Sequence, residues 1–240
     1  MNTPLFSVIL PAAGSGKRFG GDKLLADLCG RSVLARTVEL FSSRSDVTAI
    51  LIATHPDRVS VYRAAIEPER LRVPIHFAPG GVERWDTVYN AVSSPAVATE
   101  FVAIHDAARP LTPSEVIEAA FEATALYGAA LPCMPEPATL KEVGDGDGGK
   151  QVRRTVDRRS LYQAQTPQCF RTSLLREAFA KLIAGGRADQ VTDDAQVAEL
   201  AEMPVFITAG SNLNIKITHP EDMLLARAVY RIEHPAAVDA

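Results

Sequence analysis

Cysteine is scarce in this chain: Cys29, Cys133 and Cys169 are the only three among 240 residues. They are odd in number, widely spaced and never in a Cys-x-x-Cys pair, which excludes a disulfide framework or zinc site and points to a reducing compartment. The five histidines are scattered and form no ligand pair. Excess positive charge is absent as well. A formal net charge of −4 and the lack of a basic stripe argue against nucleic-acid binding. No apolar run approaches membrane-spanning length, and residues 1–4 lack the charged region and apolar core of a signal peptide. These absences predict a soluble, cytoplasmic protein that binds neither nucleic acid nor membrane. The length suits one domain, 1–240, or a domain with a substantial appendage.

What is present alternates. Short β-branched apolar runs at 8–10, 47–53, 75–77, 101–104 and 129–133 are separated by amphipathic stretches. In 113–126, Ile117, Ala120, Phe121 and Thr124 share one face behind Pro113. Continuous apolar strands alternating with helices predict an α/β, Rossmann-like fold, with a mainly parallel twisted sheet and helices on both faces. A further strand is expected at 205–208, and helices at 172–184, 192–202 and 220–232, with a frayed tail over 233–240. The pattern breaks between Pro135 and Thr155. There two polar segments, 140–143 and 151–155, flank a glycine-rich 144–149, which predicts a projecting β-hairpin, with 136–157 as an inserted arm. Asp145-x-Asp147 is not a calcium loop, because Lys150 and Val156 stand where that loop needs Gly and Glu.

The densest chemistry lies in residues 10–23, directly after the first apolar run. Ala12, Ala13, Gly14 and Gly16 let backbone N–H groups approach a ligand, and Lys17, Arg18 and Lys23 follow. Small residues with a local cation cluster suit a polyphosphate. A Walker loop is excluded because Pro11 replaces its first glycine and Arg18 follows Lys17. The dinucleotide fingerprint is excluded too. Its third glycine, Gly20, arrives one residue late, and the next strand ends in Thr54-His55 with no carboxylate.

Two further segments, Pro79-Gly80-Gly81 and His105-Asp106, follow predicted strands and are therefore expected to converge with the Gly14 loop on one edge of the sheet. Asp106 is placed to hold Mg2+ or a ribose hydroxyl, or to cap a turn before Pro110. Arg109 either pairs with Asp106 or grips a phosphate. Beyond Pro79-Gly80-Gly81, the polar Arg84, Asp86 and Thr87 form a candidate base-reading edge. Lys216, between Ile215 and Ile217, also fits the polar face of a strand. Thr192-Asp193-Asp194 also fits a helix N-cap.

Taken together, Leu10-Pro-Ala-Ala-Gly-x-Gly-x-Arg18, Lys23, Gly80-Gly81-x-x-Arg84, His105-Asp106-Ala-Ala-Arg-Pro110, Thr155-Val-Asp-Arg158, Gln165-Thr-Pro-Gln168, Thr192-Asp193 and Asn214-Ile-Lys-Ile-Thr218 resemble the 2-C-methyl-D-erythritol 4-phosphate cytidylyltransferases across nearly the whole chain. The resemblance implies transfer of a cytidylyl group from CTP to methylerythritol phosphate, with Mg2+ as cofactor. It implies that Arg18 and Lys23 stabilise the α-phosphate transition state and that Arg158 and Lys216 hold the attacking phosphate. Ala12, Ala13 and Gly14 would cradle the triphosphate, Gly80, Gly81 and Thr87 would read cytosine, Asp106 would serve the ribose and metal, and Ala107 would also bind CTP. Arg109, Thr139 and Thr192 would line the methylerythritol side. The hairpin matches the family's dimerisation arm, which implies a homodimer in which Thr139 and Arg158 serve the partner's site.

Two positions depart from the family pattern. Asp22 stands where proline is usual, a change expected to loosen the loop or weaken its positive field. Leu213 stands where an acidic residue is usual, leaving Asn212 or Asn214 to compensate. Leu213 brings ribitol 5-phosphate forward as a rival substrate. A catalytically silent nucleotide-binding regulator is the rival from another class.

Overall fold

The computed structural model describes residues 3–14, 16, 18–67 and 71–235. Lys17, one of the clustered cations, lies outside them, as does the 236–240 part of the expected frayed tail.

The first half runs β1 (Phe6–Pro11), the two-residue strands β2 (Asp27–Leu28) and β3 (Arg31–Ser32), α1 (Val33–Ser42), β4 (Val47–Thr54), α2 (Val59–Ile66), β5 (Ile75–Pro79), α3 (Arg84–Val92) and β6 (Phe101–Ile104). The second half runs α4 (Ser114–Tyr127), β7 (Ala129–Pro135), β8 (Lys141–Gly146), β9 (Gly149–Thr155), β10 (Tyr162–Ala164), β11 (Gln168–Arg171), α5 (Thr172–Ala184), α6 (Asp194–Leu200), β12 (Phe206–Ala209) and α7 (Pro220–Glu233).

Strand residues divide between two cores by strict alternation. Phe6, Val8 and Leu10 of β1 join Ile50 and Ile52 of β4 and Phe101 and Ala103 of β6 against α1, α2, α4 and α7. Ile9, Leu51, Val102 and Ile104 face the other way, onto α3, α5 and α6. A period of two with both faces apolar makes a central sheet covered on both sides. Each fully buried large apolar side chain contributes about 1.5–3 kcal/mol. Phe6 is one of these, stacked on Phe101 and Phe121.

The strand order is β10-β7-β11-β6-β1-β4-β5, with β12 beside β7. Pairings among β5, β4, β1 and β6 are parallel, as is β12 with β7, whereas β10 and β11 run antiparallel to their neighbours. From β1 the chain first builds outward through β4 and β5, then returns to place β6 on β1's other side. That reversal opens a crevice at the carboxyl ends of β1 and β6, where such sheets bind ligands.

The hairpin forms as expected, with a tighter turn than 144–149. β8 pairs β9 from Lys141↔Thr155 to Gly146↔Gly149, leaving Asp147 and Gly148 as the turn. Helix α6 is shorter than 192–202 because Asp193 caps it, its carboxylate accepting the Gln196 N–H at 3.0 Å. The chain does not fray from 233: Glu233 is helical, and the His234 N–H bonds Tyr230 O at 2.9 Å. Lys216 is not on a strand face. The 211–219 segment is irregular, with tight contacts such as Ile215 N–H to Leu213 O at 2.7 Å. Its alternating isoleucines imitate strand periodicity, but its long-range partners are loops.

Candidate active site

A cleft of about 570 Å³ opens over the β1/β6 crevice. Of the residues singled out from sequence, it gathers Ala12, Ala13, Gly14, Arg18, Lys23, Gly81, Thr87, Asp106, Ala107 and Lys216.

The floor begins where β1 ends. The Ala12 N–H still bonds Ala53 O, at 2.8 Å, but beyond it the amides of Ala13 and Gly14 have no protein acceptor among the described residues. These free donors suit an anion. The loop then turns tightly at Gly16, whose φ is +62° and where a Cβ would lie 2.2 Å from Gly21 O. Asp22 does not loosen this loop. Its carboxylate accepts the Leu24 N–H at 3.1 Å, Arg58 at 2.9 Å and the Tyr62 hydroxyl at 3.0 Å, tying the loop to α2. Burial, with Asp22 alongside, pushes the Tyr62 hydroxyl's pKa up, so it remains a donor.

Lys23, next in sequence, donates to Ile217 O at 2.7 Å. Its pKa is lowered, first by burial and then by the nearby Lys216 and Arg18 charges, against the pull of Asp106. A cation held under this repulsion gains from an arriving phosphate. Arg18 is exposed and has no ion-pair partner among the described residues.

The opposite wall is the turn after β6. Asp106 Oδ2 lies 2.9 Å from Lys216 Nζ and accepts Arg109 Nε at 3.0 Å, while Oδ1 has the Arg84 guanidinium 3.9 Å away. Burial alone would raise the Asp106 carboxyl, but Lys216, Arg109 and Arg84 outweigh it and hold it well below the usual carboxylate range. Among the described residues no three His, Cys, Asp or Glu side chains come together as a metal cage. Asp106 Oδ1 accepts no hydrogen bond among the described residues, and one carboxylate plus substrate phosphates is how Mg2+ is usually held. The residues present fit that ion in this way.

His105 fixes the turn from beneath. It is fully buried, and its pKa is drawn down to about 4, first by burial. As a neutral ring it donates from Nε2 to Arg109 O (3.1 Å) and accepts at Nδ1 from Thr166 Oγ1 (3.1 Å), which itself accepts the Asp106 N–H (3.1 Å).

Arg109 is a brace. Only 11% of its side chain is exposed, and besides Asp106 it bonds Asn214 O at 2.6 Å. Asn214 is equally committed. Its amide donates to Gln165 and to Thr166 O and accepts from Thr112, so it holds the segment that presents Lys216 and does not stand in for the acidic residue usual at position 213.

The third wall is the turn after β5. Gly80 packs so closely that a Cβ would lie 2.6 Å from Ala13 Cβ, and its N–H bonds Thr54 O. The Gly81 N–H goes to Thr87 Oγ1 at 2.9 Å, and that hydroxyl bonds Glu83 O at 3.1 Å. Thr87 therefore shapes the Gly81 turn. Arg84, expected at the base-reading edge, also lines the cleft, with Nη2 2.6 Å from buried Asp194. Two residues 110 apart in sequence carry no local signal of that pairing.

Thr139, Arg158 and Thr192 stand outside this cleft. Thr139 and Arg158 are exposed at the base of the hairpin, where Arg158 donates to Pro137 O. Thr192 is exposed and bonds Gln196 Oε1 at 3.0 Å.

The sequence model of the 2-C-methyl-D-erythritol 4-phosphate cytidylyltransferases matches residues 6–232. The chain belongs to this cytidylyltransferase family. A member from Rhodopirellula baltica is 39% identical over 236 residues, covering 93% of each chain. A chloroplastic member from Oryza sativa subsp. japonica is 37% identical, covering 92% of this chain and 72% of its own. The crystal structure of the cytidylyltransferase from Thermus thermophilus superposes with a TM-score of 0.76 at 34% identity, over 94% of this chain and 98% of that one. No helix among the described residues is long and apolar enough to cross a membrane.

Proposed function

We propose that this chain transfers the cytidylyl group of CTP to 2-C-methyl-D-erythritol 4-phosphate, giving 4-diphosphocytidyl-2-C-methyl-D-erythritol and pyrophosphate. The observation that carries the reading is the gathering of Arg18, Lys23 and Lys216 in one cleft around the free amides of Ala13 and Gly14, with Asp106 as an anchored carboxylate.

An oxygen of the phosphomonoester attacks the α-phosphorus in line. The new P–O bond forms as the α–β anhydride bond breaks, and its electron pair leaves on pyrophosphate. A phosphomonoester has a second pKa of about 6, so near neutrality the nucleophile needs no general base. Positioning and charge neutralisation remain as the protein's task. Ala12, Ala13 and Gly14 cradle the triphosphate, and Arg18 and Lys23 meet the charge that builds on the α-phosphate. Gly80, Gly81 and Thr87 form the cytosine wall, chiefly through backbone groups. Asp106 and Ala107 face the ribose, and Asp106 Oδ1 with triphosphate oxygens would hold Mg2+. That ion supplies neutralisation of the polyphosphate charge. Lys216 holds the attacking phosphate, with Arg109 bracing Asp106 behind it. Thr139 and Arg158, lying outside their own chain's cleft, serve a partner's site in a homodimer joined through the arm, and Thr192 lies on the methylerythritol side. We read 1–240 as one nucleotidyltransferase domain with 136–157 as its arm.

The test is pyrophosphate release from CTP with each of two acceptors. Preferential use of methylerythritol phosphate is expected. Equal or better use of ribitol 5-phosphate overturns the acceptor assignment, and CTP binding with no magnesium-dependent pyrophosphate release overturns the enzyme reading.

A further inference from the structure

We infer that Asp194 is a positioning residue for Asp106: it anchors Arg84 so that the guanidinium stays off Asp106 Oδ1, the oxygen left for a ribose hydroxyl or divalent cation. The inference rests on the role given above to Asp106.

Arg84 reaches into the cleft between two carboxylates. Its Nη2 is 2.6 Å from Asp194 Oδ2 and 3.9 Å from Asp106 Oδ1. The Asp194 side chain is fully buried, and its Oδ1 has no hydrogen-bond partner among the described residues. Arg84 is thus the contact that keeps this carboxylate from being a buried, uncompensated charge, a strongly unfavourable state. Asp194 cannot follow Arg84 if the guanidinium swings. The start of α6 is locked to β11: Gln168 Nε2 donates to Asp193 at 2.9 Å, and Gln168 Oε1 accepts the Ala195 N–H at 2.8 Å. Arg84 therefore conforms to Asp194.

Asp106 already takes Lys216 and Arg109 on Oδ2. A third cation closing onto Oδ1 fills the carboxylate and removes its use as a ligand. In the Thr192-Asp193-Asp194 run, this gives Asp193 the capping role and Asp194 the role that reaches the cleft.

The protein carries its own reporter. Trp85, the single tryptophan, follows Arg84 in α3. CTP titrations of the full chain, with Mg2+ and with EDTA, are followed by its fluorescence. In the parent, Mg2+ tightens CTP binding. Asp194→Asn is expected to lose that gain by roughly tenfold, the scale for removing an outer-shell partner of a metal ligand, with metal-free binding unchanged. Asp194→Asn combined with Arg84→Gln regains it, because nothing is left to cap Oδ1. The proposal is overturned if Asp194→Asn keeps the magnesium gain, if it loses affinity equally with and without metal, or if the double variant fails to recover. Should Asp194→Asn not fold, the double variant decides, since it leaves neither a buried charge nor a guanidinium at Oδ1: it retains the gain if the proposal holds and loses it if not. A parent that binds CTP alike with and without Mg2+ overturns the Asp106 assignment as well. Turnover plays no part in this readout, so an inactive chain showing this pattern refutes the catalytic reading alone.

Discussion

Lys216 Nζ stands 2.9 Å from Asp106 Oδ2, in the cleft that also carries Lys23 and Arg18. The pair keeps an ammonium in place before any phosphate arrives, with 42% of the lysine side chain still exposed. Replacing Lys216 by glutamine is expected to lower kcat/KM for the phosphopolyol by roughly 10–100-fold, the equivalent of about 1.5–3 kcal/mol for a hydrogen bond to a charged group. The KM for CTP should hold. Steady-state kinetics with each substrate varied separately makes the measurement, and an effect confined to CTP moves Lys216 to the nucleotide side.

Arg18 and Lys23 are predicted to act on charge that appears only in the transition state. Truncating either to alanine should lower kcat by roughly 10²–10³-fold, as for loss of one oxyanion donor, with little change in CTP affinity. Lys23→Ala also removes the bond to Ile217 O, so its melting temperature should fall more than that of Arg18→Ala. A raised KM with unchanged kcat shows uniform binding instead.

Acid should loosen the turn that carries Asp106. The folded pKa of His105 is drawn down to about 4, below its ordinary 6.5, by burial. Between those values the unfolded chain binds the extra proton, so stability falls as pH drops through this window and is retained above it. The shift corresponds to roughly 3 kcal/mol at about 1.4 kcal/mol per pKa unit. Protonation also takes away the lone pair that Nδ1 offers to Thr166, the residue bonded to the Asp106 N–H. Asp194 works the other way, because burial, against Arg84, raises its pKa. Urea unfolding at pH 7 and pH 4.5 should show a smaller drop in His105→Gln than in the parent, and equal drops reject the assignment.

The parallel strands were legible because both faces are buried: runs such as 49–53 and 101–104 are apolar throughout. β10 and β11 were not, being three and four residues long and set around Gln165-Thr-Pro-Gln168, which reads as loop. The Gly14, Gly81 and Asp106 segments of the cleft were legible because each follows a strand end. Their wiring was not. Asp22 finds Arg58 and Tyr62 about forty positions away, and Arg84 finds Asp194 across 110. Lys216 carried a false strand signal from Ile215 and Ile217, since alternation records burial of Ile217 and says nothing of backbone pairing.

The arm offers a test that tells the two possible ownerships of Arg158 apart. Val143 and Val152 are 51% and 61% exposed on the hairpin, apolar surface that a second subunit would cover. Lys23→Ala and Arg158→Ala should each be nearly inactive. If Arg158 completes the partner's cleft, a mixed dimer of the two variants contains one site with Lys23 from the Arg158→Ala chain and Arg158 from the Lys23→Ala chain, both intact. Co-refolding the two is therefore expected to restore activity that neither has alone. Removing 144–149 should weaken the dimer by light scattering and abolish this complementation. If the mixture stays as inactive as its components while heterodimers are present by native mass spectrometry, Arg158 acts within its own chain or not at all, and the arm is an adhesive element only.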